Sequence, residues 1–201
     1  NHRTKAMDLV LQDQQNKLYL FSNRGTLYWK KQLSGPILGL IKQVDLYKNK
    51  RLQMAFRTPN RFQILDRNGN LVQPFDIKLV QSEIPLSVFD YDRNRNYRFV
   101  VEEKNRLRMF DNRGSTVKGF RFRTLSKPLM HPLKHIRLGT KDYIVLHYED
   151  GSIKLLNRQG EERVKIKNTL KTSKNSIYSY RNTFTTTDEN GNLIQIDQKG
   201  N

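Results

Sequence analysis

One short pattern returns five times along the chain and constrains its fold more than any other feature. An apolar strand ends in Ser, Asp or Asn, two residues follow, and then a glycine. The copies are Lys17–Gly25, Arg61–Gly69, Arg106–Gly114, Ser152–Gly160 and Leu193–Gly200. Successive glycines stand 44, 45, 46 and 40 residues apart. Asp and Asn close tight turns with their side chains, and glycine supplies the positive φ such turns need. A strand-and-turn unit that recurs at nearly constant spacing marks a repeat architecture.

Four strands fit within one period. The second unit reads as strands at 43–47, 52–58, 62–66 and 71–79. The third reads as 87–90, 97–102, 107–111 and 116–123, and the fourth as 133–138, 143–148, 153–157 and 163–167. No segment carries a helical stripe of a dozen residues. Periods of about 40–45 residues with four antiparallel strands describe the blades of a β-propeller. A β-sandwich does not predict one turn motif at even spacing. The expectation is an all-β chain of about 4–5 four-stranded blades, in units near 8–33, 40–79, 84–125, 133–170 and 176–201. It forms one propeller domain, or a portion of a larger or incompletely closed one. The first unit lacks an innermost strand unless Arg3–Ala6 supplies it, and the last stops after its third strand. Open blade edges invite a covering partner or self-association.

Composition narrows the chemistry. The chain has 201 residues, 36% hydrophobic and 28% charged, with no cysteine and a formal charge of +18. Lack of cysteine excludes disulfides, Cys-based zinc sites and a thiol nucleophile. No apolar run approaches the ~18 residues of a membrane span. The chain opens at Asn1 with no signal peptide, which reads as a processed or excised piece. The charge fits attraction to an anionic polymer or surface.

The stretch Leu20–Leu33, with Gly25 and Trp29 four residues apart, resembles the tryptophan-docking repeat of the pyrroloquinoline-quinone-type, or quinoprotein-like, propellers. The resemblance implies that Trp29 packs against the neighbouring blade and that Gly25, Gly69, Gly114 and Gly160 are structural. Later units depart from it: Phe75 and Phe120 stand six residues after their glycines, and Val164 stands four after Gly160. Members of the superfamily are quinone-dependent dehydrogenases or non-catalytic scaffolds, among them a periplasmic lipoprotein that assists outer-membrane protein assembly. The dehydrogenases use a vicinal cysteine pair, which this chain lacks. The resemblance therefore implies a scaffold without cofactor, in an extracytoplasmic bacterial setting, anchored if at all through sequence outside this chain.

A second resemblance lies in the third unit. Asp90, Asp92, Asn94 and Asn96 place oxygen side chains at alternate positions, similar to the calcium loops of FG-GAP repeats. Alternate spacing lets a bending loop turn its oxygens toward one ion. The competing reading is an Asx-rich hairpin turn, because the second unit has Tyr47 and Arg51 where ligands would stand.

Other constellations are weak. His131 and His135 would share a strand face with ~13 Å between their backbones, too far for one metal. Glu102–Glu103 and Glu161–Glu162 are adjacent pairs that point to opposite faces of a strand. Basic residues read as scattered over turns and strand edges, except Lys118, Arg121, Arg123 and Lys127, which flank Phe120 and Phe122. That group is a solvated rim or an anion and partner contact, and nucleic acid is the less favoured ligand. The expected function is a non-enzymatic scaffold that binds a protein or polymer partner. Binding of an anionic polymer or surface through the basic rim is the alternative, and a cofactor- or metal-dependent enzyme the third reading.

Overall fold

The computed structural model describes residues 7–168 and 170–201, and among these there is no helix. The described residues form seventeen strands in five antiparallel sheets. The first holds β1 (Leu9–Gln12), β2 (Lys17–Phe21) and β3 (Leu27–Gln32). The second holds β4 (Lys42–Val44), β5 (Gln53–Thr58), β6 (Arg61–Leu65) and β7 (Leu71–Lys78). β8 (Ser87–Phe89), β9 (Arg98–Glu103) and β10 (Arg106–Phe110) make the third. β11 (Lys134–Leu138), β12 (Lys141–His147), β13 (Ile153–Leu156) and β14 (Glu162–Val164) make the fourth. The fifth holds β15 (Tyr178–Tyr180), β16 (Thr183–Thr187) and β17 (Leu193–Ile196). Every strand pairs with its sequence neighbour, so each sheet is a meander. The chain divides into two compact units, Asn1–Lys104 with Phe110–Ser115, and Asn105–Met109 with Thr116–Asn201.

The five turns that follow the third strand of each repeat are built alike. The glycine N–H donates to the carbonyl of the Ser, Asp or Asn three residues earlier, from Gly25 to Ser22 at 3.0 Å through Gly200 to Asp197 at 3.2 Å. That residue's side chain accepts two more backbone N–H bonds, as Asp66 Oδ1 does from Asn68 and Asn70 at 2.8 and 2.9 Å. All five glycines hold φ between 78° and 83°. A short acceptor side chain and a glycine are what this turn demands, which explains the recurring motif.

Each turn glycine after the first is also a seat. Trp29 lies over Gly69, where an added Cβ would fall 2.8 Å from Trp29 Cδ2. Its Nε1 donates to the Arg67 carbonyl at 2.9 Å. Pro74 covers Gly114, with Cγ 2.7 Å from a Cβ there and Phe75 just beyond. Phe120 and Phe122 cover Gly160, and Val164 with the Lys165 carbonyl covers Gly200. The irregular spacing of Phe75, Phe120 and Val164 thus hides one repeated job. Of the five turn glycines, Gly25 alone has nothing within 4 Å of such a Cβ among the described residues.

Packing follows the same logic. Leu18, Val10 and Trp29 of the first sheet meet Met54, Phe56, Leu65 and Leu71 of the second in one apolar cluster. Phe62, Ile64 and Val44 continue into the next cluster with Phe75, Phe99 and Val101. In the second compact unit Tyr143 and Val145 meet Phe184 and Ile196, with the Tyr143 and Phe184 rings edge to face at 4.9 Å. Leu9, Leu11, Phe21 and Leu27 occupy in the first sheet the positions that Met54, Phe56, Leu65 and Leu71 hold in the second. Leu9 is 57% exposed, and Leu11 and Leu27 are exposed as well.

Two expectations need correction or restriction. The segment 116–123 is not a strand. It leaves the sheet between Val117 and Arg123, because Arg121 N–H donates to Gln159 at 2.8 Å and Phe120 and Phe122 lie on the Gly160 turn. An innermost first strand from Arg3–Ala6 falls outside the described residues.

Candidate functional site

In a four-stranded meander, the hairpin between the first two strands and the hairpin between the last two emerge at the same end. In the first compact unit that end carries Arg24, Lys48, Lys50, Arg51, Arg67, Arg93, Arg95 and Arg113 in its turns. The sequence reading of these cations as scattered is therefore wrong for this unit. Topology gathers what linear order disperses. Several of the acids at this end are spent on backbone N–H groups of their own turns. Asp45 accepts backbone N–H bonds from Asn49 and Lys50 at 3.0 and 2.9 Å. Asp66 and Asp111 close their turns in the same manner. Neighbouring loops are tied together by Arg95 Nη1 to Asp45 Oδ2 at 3.3 Å and by Lys48 Nζ donating to Asn96 Oδ1 at 3.0 Å.

A cleft of about 1040 Å³ opens at this end between the first and second sheets. Val10, Leu20, Trp29, Ile41 and Met54 line its floor, and Lys50, Arg51 and Arg67 line its rim along with Asp8. Around the mouth Met7 and Leu40 are 87% and 74% exposed. Apolar side chains on display beside three cations suit a ligand that is itself part apolar and part acidic. Sequence reasoning missed this cleft. Its one available signal was Trp29, the single tryptophan of the chain, beside a run of basic turns.

The candidate calcium loop has a specific geometry. Both Asp90 carboxylate oxygens accept backbone N–H bonds, from Asn94 and Arg95 at 3.0 Å each, and Asn94 Oδ1 accepts from the Asn96 N–H at 3.0 Å. Asp92 is exposed on the same loop. The 45–51 loop repeats the pattern, with positive φ at Lys48 and Lys50 as at Arg93 and Arg95. Because the second blade reaches this shape without the alternate oxygens, the shape itself needs no ion.

The basic group of the second compact unit is partly neutralised. Arg121 pairs with Glu161 at 2.7 Å, and Lys127 pairs with Asp150. The Lys127 hydrogen bond, and then that of Ser152, hold the Asp150 carboxyl at about 2. Lys118 and Arg123 are exposed, while Phe120 is buried and Phe122 half-buried where they meet the Gly160 turn.

Most other titratable groups inside the sheets serve structure. Arg57 is fully buried in the first unit, and its guanidinium donates to the carbonyls of Thr58, Pro59 and Glu102. Burial pulls its pKa below the ordinary arginine value, against the opposing effect of Glu102 and Glu103. Ser82 Oγ donates to Glu102, and Glu103 Oε1 accepts the Val80 N–H at 2.9 Å. The two glutamates, on opposite faces of β9, thus hold separate partners. In the second unit Thr172 Oγ1 donates to the Gly151 carbonyl at 2.8 Å and contacts His147 Nε2 at 2.6 Å. Thr172 has spent its only proton, so Nε2 must be the donor and Nδ1 carries a lone pair. That buried Nδ1 has no hydrogen-bond partner among the described residues. Burial first, then the charges of His131 and Lys134, lower the His147 pKa to about 4. His135 instead meets Asp142 at 2.8 Å. Among the described residues no three His, Cys, Asp or Glu side chains cluster as metal ligands. No helix there is long and apolar enough to cross a membrane.

The chain matches no protein-family model and no curated protein. Among solved structures it is similar to the computationally designed protein Ika8, with a TM-score of 0.61 at 10% identity, over 96% of this chain and 57% of that one. It is likewise similar to BBS1N, solved in complex with ARL6DN, with a TM-score of 0.59 at 15% identity, over 96% of this chain and 60% of that one. BamB from Moraxella catarrhalis is matched with a TM-score of 0.49 at 13% identity, over 94% of this chain and 68% of that one. The chain spans about three-fifths of the first two structures. At such identities the likeness speaks for fold alone, and that fold is the β-propeller.

Proposed function

We propose that this chain is a non-enzymatic interaction module that holds a protein partner at the basic turn end of its first sheets. The cleft beside Trp29 carries the reading, since it joins an apolar floor to a rim of Lys50, Arg51 and Arg67. Rigid sheets that present loops at one end are a common platform for such contacts. BBS1N was itself solved with another protein bound, which agrees with the reading. Family resemblance favours the scaffold branch and an extracytoplasmic setting, which fractionation of the source cells tests.

The experiment is affinity capture from the native source with the wild-type chain and with a Lys50→Glu, Arg51→Glu, Arg67→Glu variant. The proposal expects a partner retained by wild type and lost by the variant. Equal capture by both, or none by either, would overturn it. A second reading, contact with an anionic polymer, draws on the same turn cations and the +18 charge. Heparin binding that survives about 150 mM salt supports it, because nonspecific attraction decays steeply with salt.

A further inference from the structure

The repeat permits a position-by-position comparison of the inner strands. In the second, fourth and fifth sheets the residue paired with the position five before the turn glycine is Ala55, Val145 or Thr185. Each is paired on its other side with an inner strand, through Lys42, Lys134 or Tyr178. In the first sheet the equivalent residue is Val10, opposite Leu20. Among the described residues Val10 has no strand on its other side.

Among the described residues that edge of β1 is unpaired, and it is a hydrogen-bonding one. Asp13 N–H donates to the Lys17 carbonyl at 3.0 Å. Alternation along the antiparallel ladder then gives the Leu11 and Leu9 amides to β2 and turns those of Val10 and Gln12 outward. Two residues beyond Lys42 and Lys134 stand Val44 and Ile136, both buried in the sheet-to-sheet clusters. A strand added beside β1 would deliver the corresponding side chain into the cleft that Val10 lines, next to Lys50 and Arg51.

We infer that β1 is a strand-addition site: an extended segment of a protein partner, with aliphatic and acidic residues in alternation, pairs antiparallel with Leu9–Gln12 in the position an inner strand takes in the other sheets. This rests on the interaction-module reading and specifies its mode. Main-chain bonds supply register, and alternate side chains enter the cleft. The acidic preference comes from Lys50, Arg51 and Arg67 on the rim, none of which makes an ion pair among the described residues.

The probe is an acetylated, amidated (Glu-Val)₄ peptide, with a copy N-methylated at alternate residues so that one edge cannot donate. Trp29 fluorescence reports entry to the cleft, and amide exchange by NMR reports pairing. The expected result is a saturable Trp29 response with Val10 and Gln12 amide exchange slowed at least about tenfold. Leu9 and Leu11 should change little, and the methylated copy should be inert. A Lys50→Glu, Arg51→Glu variant should weaken binding by about tenfold, as for loss of close charge complementarity. A Trp29 response that leaves the Val10 and Gln12 amides unchanged would overturn strand addition and leave the interaction module standing. Amides already slow in the free chain, or slowed only as the chain self-associates, would show the edge filled by this chain and overturn the inference. No response from either reporter would also overturn it, while partner capture judges the module separately.

Discussion

Replacing Gly25 and Gly69 separately with alanine isolates the seat from the turn. The two glycines share φ values of 83° and 81° and the same hydrogen-bonded turn. Alanine in that left-handed region costs about 1–2 kcal/mol at either site, less some relief from a stiffer unfolded chain. Beyond this the sites differ. A Cβ at Gly25 meets nothing within 4 Å, whereas at Gly69 it meets Trp29 at 2.8, 3.1 and 3.1 Å. The indole is fixed by its bond to Arg67, so the methyl must push the sheets apart, an overpacking cost of about 1–3 kcal/mol. Gly25→Ala should therefore cost about 1 kcal/mol and Gly69→Ala about 2–4 kcal/mol. Trp29 is the only tryptophan and lies in the first compact unit, so its fluorescence during urea unfolding reads that unit. With a slope of about 2 kcal/mol/M, the two midpoints should differ by about 0.5–1.5 M urea. Midpoints that coincide would refute the docking role of Gly69 and leave only the turn.

Other outcomes follow from the same geometry. Arg57→Met removes the guanidinium donor from the Glu102 carbonyl and leaves the Pro59 carbonyl with the Ser82 N–H alone, and should destabilise the first unit by about 2–4 kcal/mol in urea unfolding, since a buried network loses its central donor. His147 is neutral when folded, with its pKa lowered to about 4, and unfolding restores an ordinary value near 6.5. The unfolded chain binds the extra proton between those values, so stability is whole above about pH 6.5 and falls toward pH 4 by up to about 3 kcal/mol. Thermal unfolding of His147→Gln across that range should show a flatter profile than wild type. Asp45→Ala and Asp90→Ala each remove a side chain that takes two backbone N–H bonds, and should cost about 1–2 kcal/mol with or without added calcium.

The sheets were largely legible because the repeat writes each strand's period and turn directly into local sequence. Strand ranges expected at 52–58, 62–66 and 71–79 agree within a residue or so with β5, β6 and β7. The 116–123 segment was misread because its alternation, with Phe120 and Phe122 on one side, looks the same whether the segment pairs or is pulled onto the Gly160 turn. Local pattern cannot separate these, since the competing hydrogen bond comes from Gln159. Beyond Trp29 the sequence offered Phe75, Phe120 and Val164 without a common motif, and Pro74, which lies closer to Gly114 than Phe75 does, gave no signal. A proline, a phenylalanine and a valine fill the same seat at different offsets. The cleft was hidden for another reason: its rim joins Lys50, Arg51 and Arg67 from two different hairpins, which only the shared end of an antiparallel sheet brings together.

The claim on which all of this depends is that each blade places a side chain on the turn glycine of the next. Proton NMR of the Trp29 indole against Gly69 tests it most directly. The account predicts strong nuclear Overhauser contacts between the indole protons and the Gly69 α-protons, with those α-protons shifted upfield by the ring current. Gly69 α-protons at ordinary turn positions, with the indole contacts elsewhere, would contradict it.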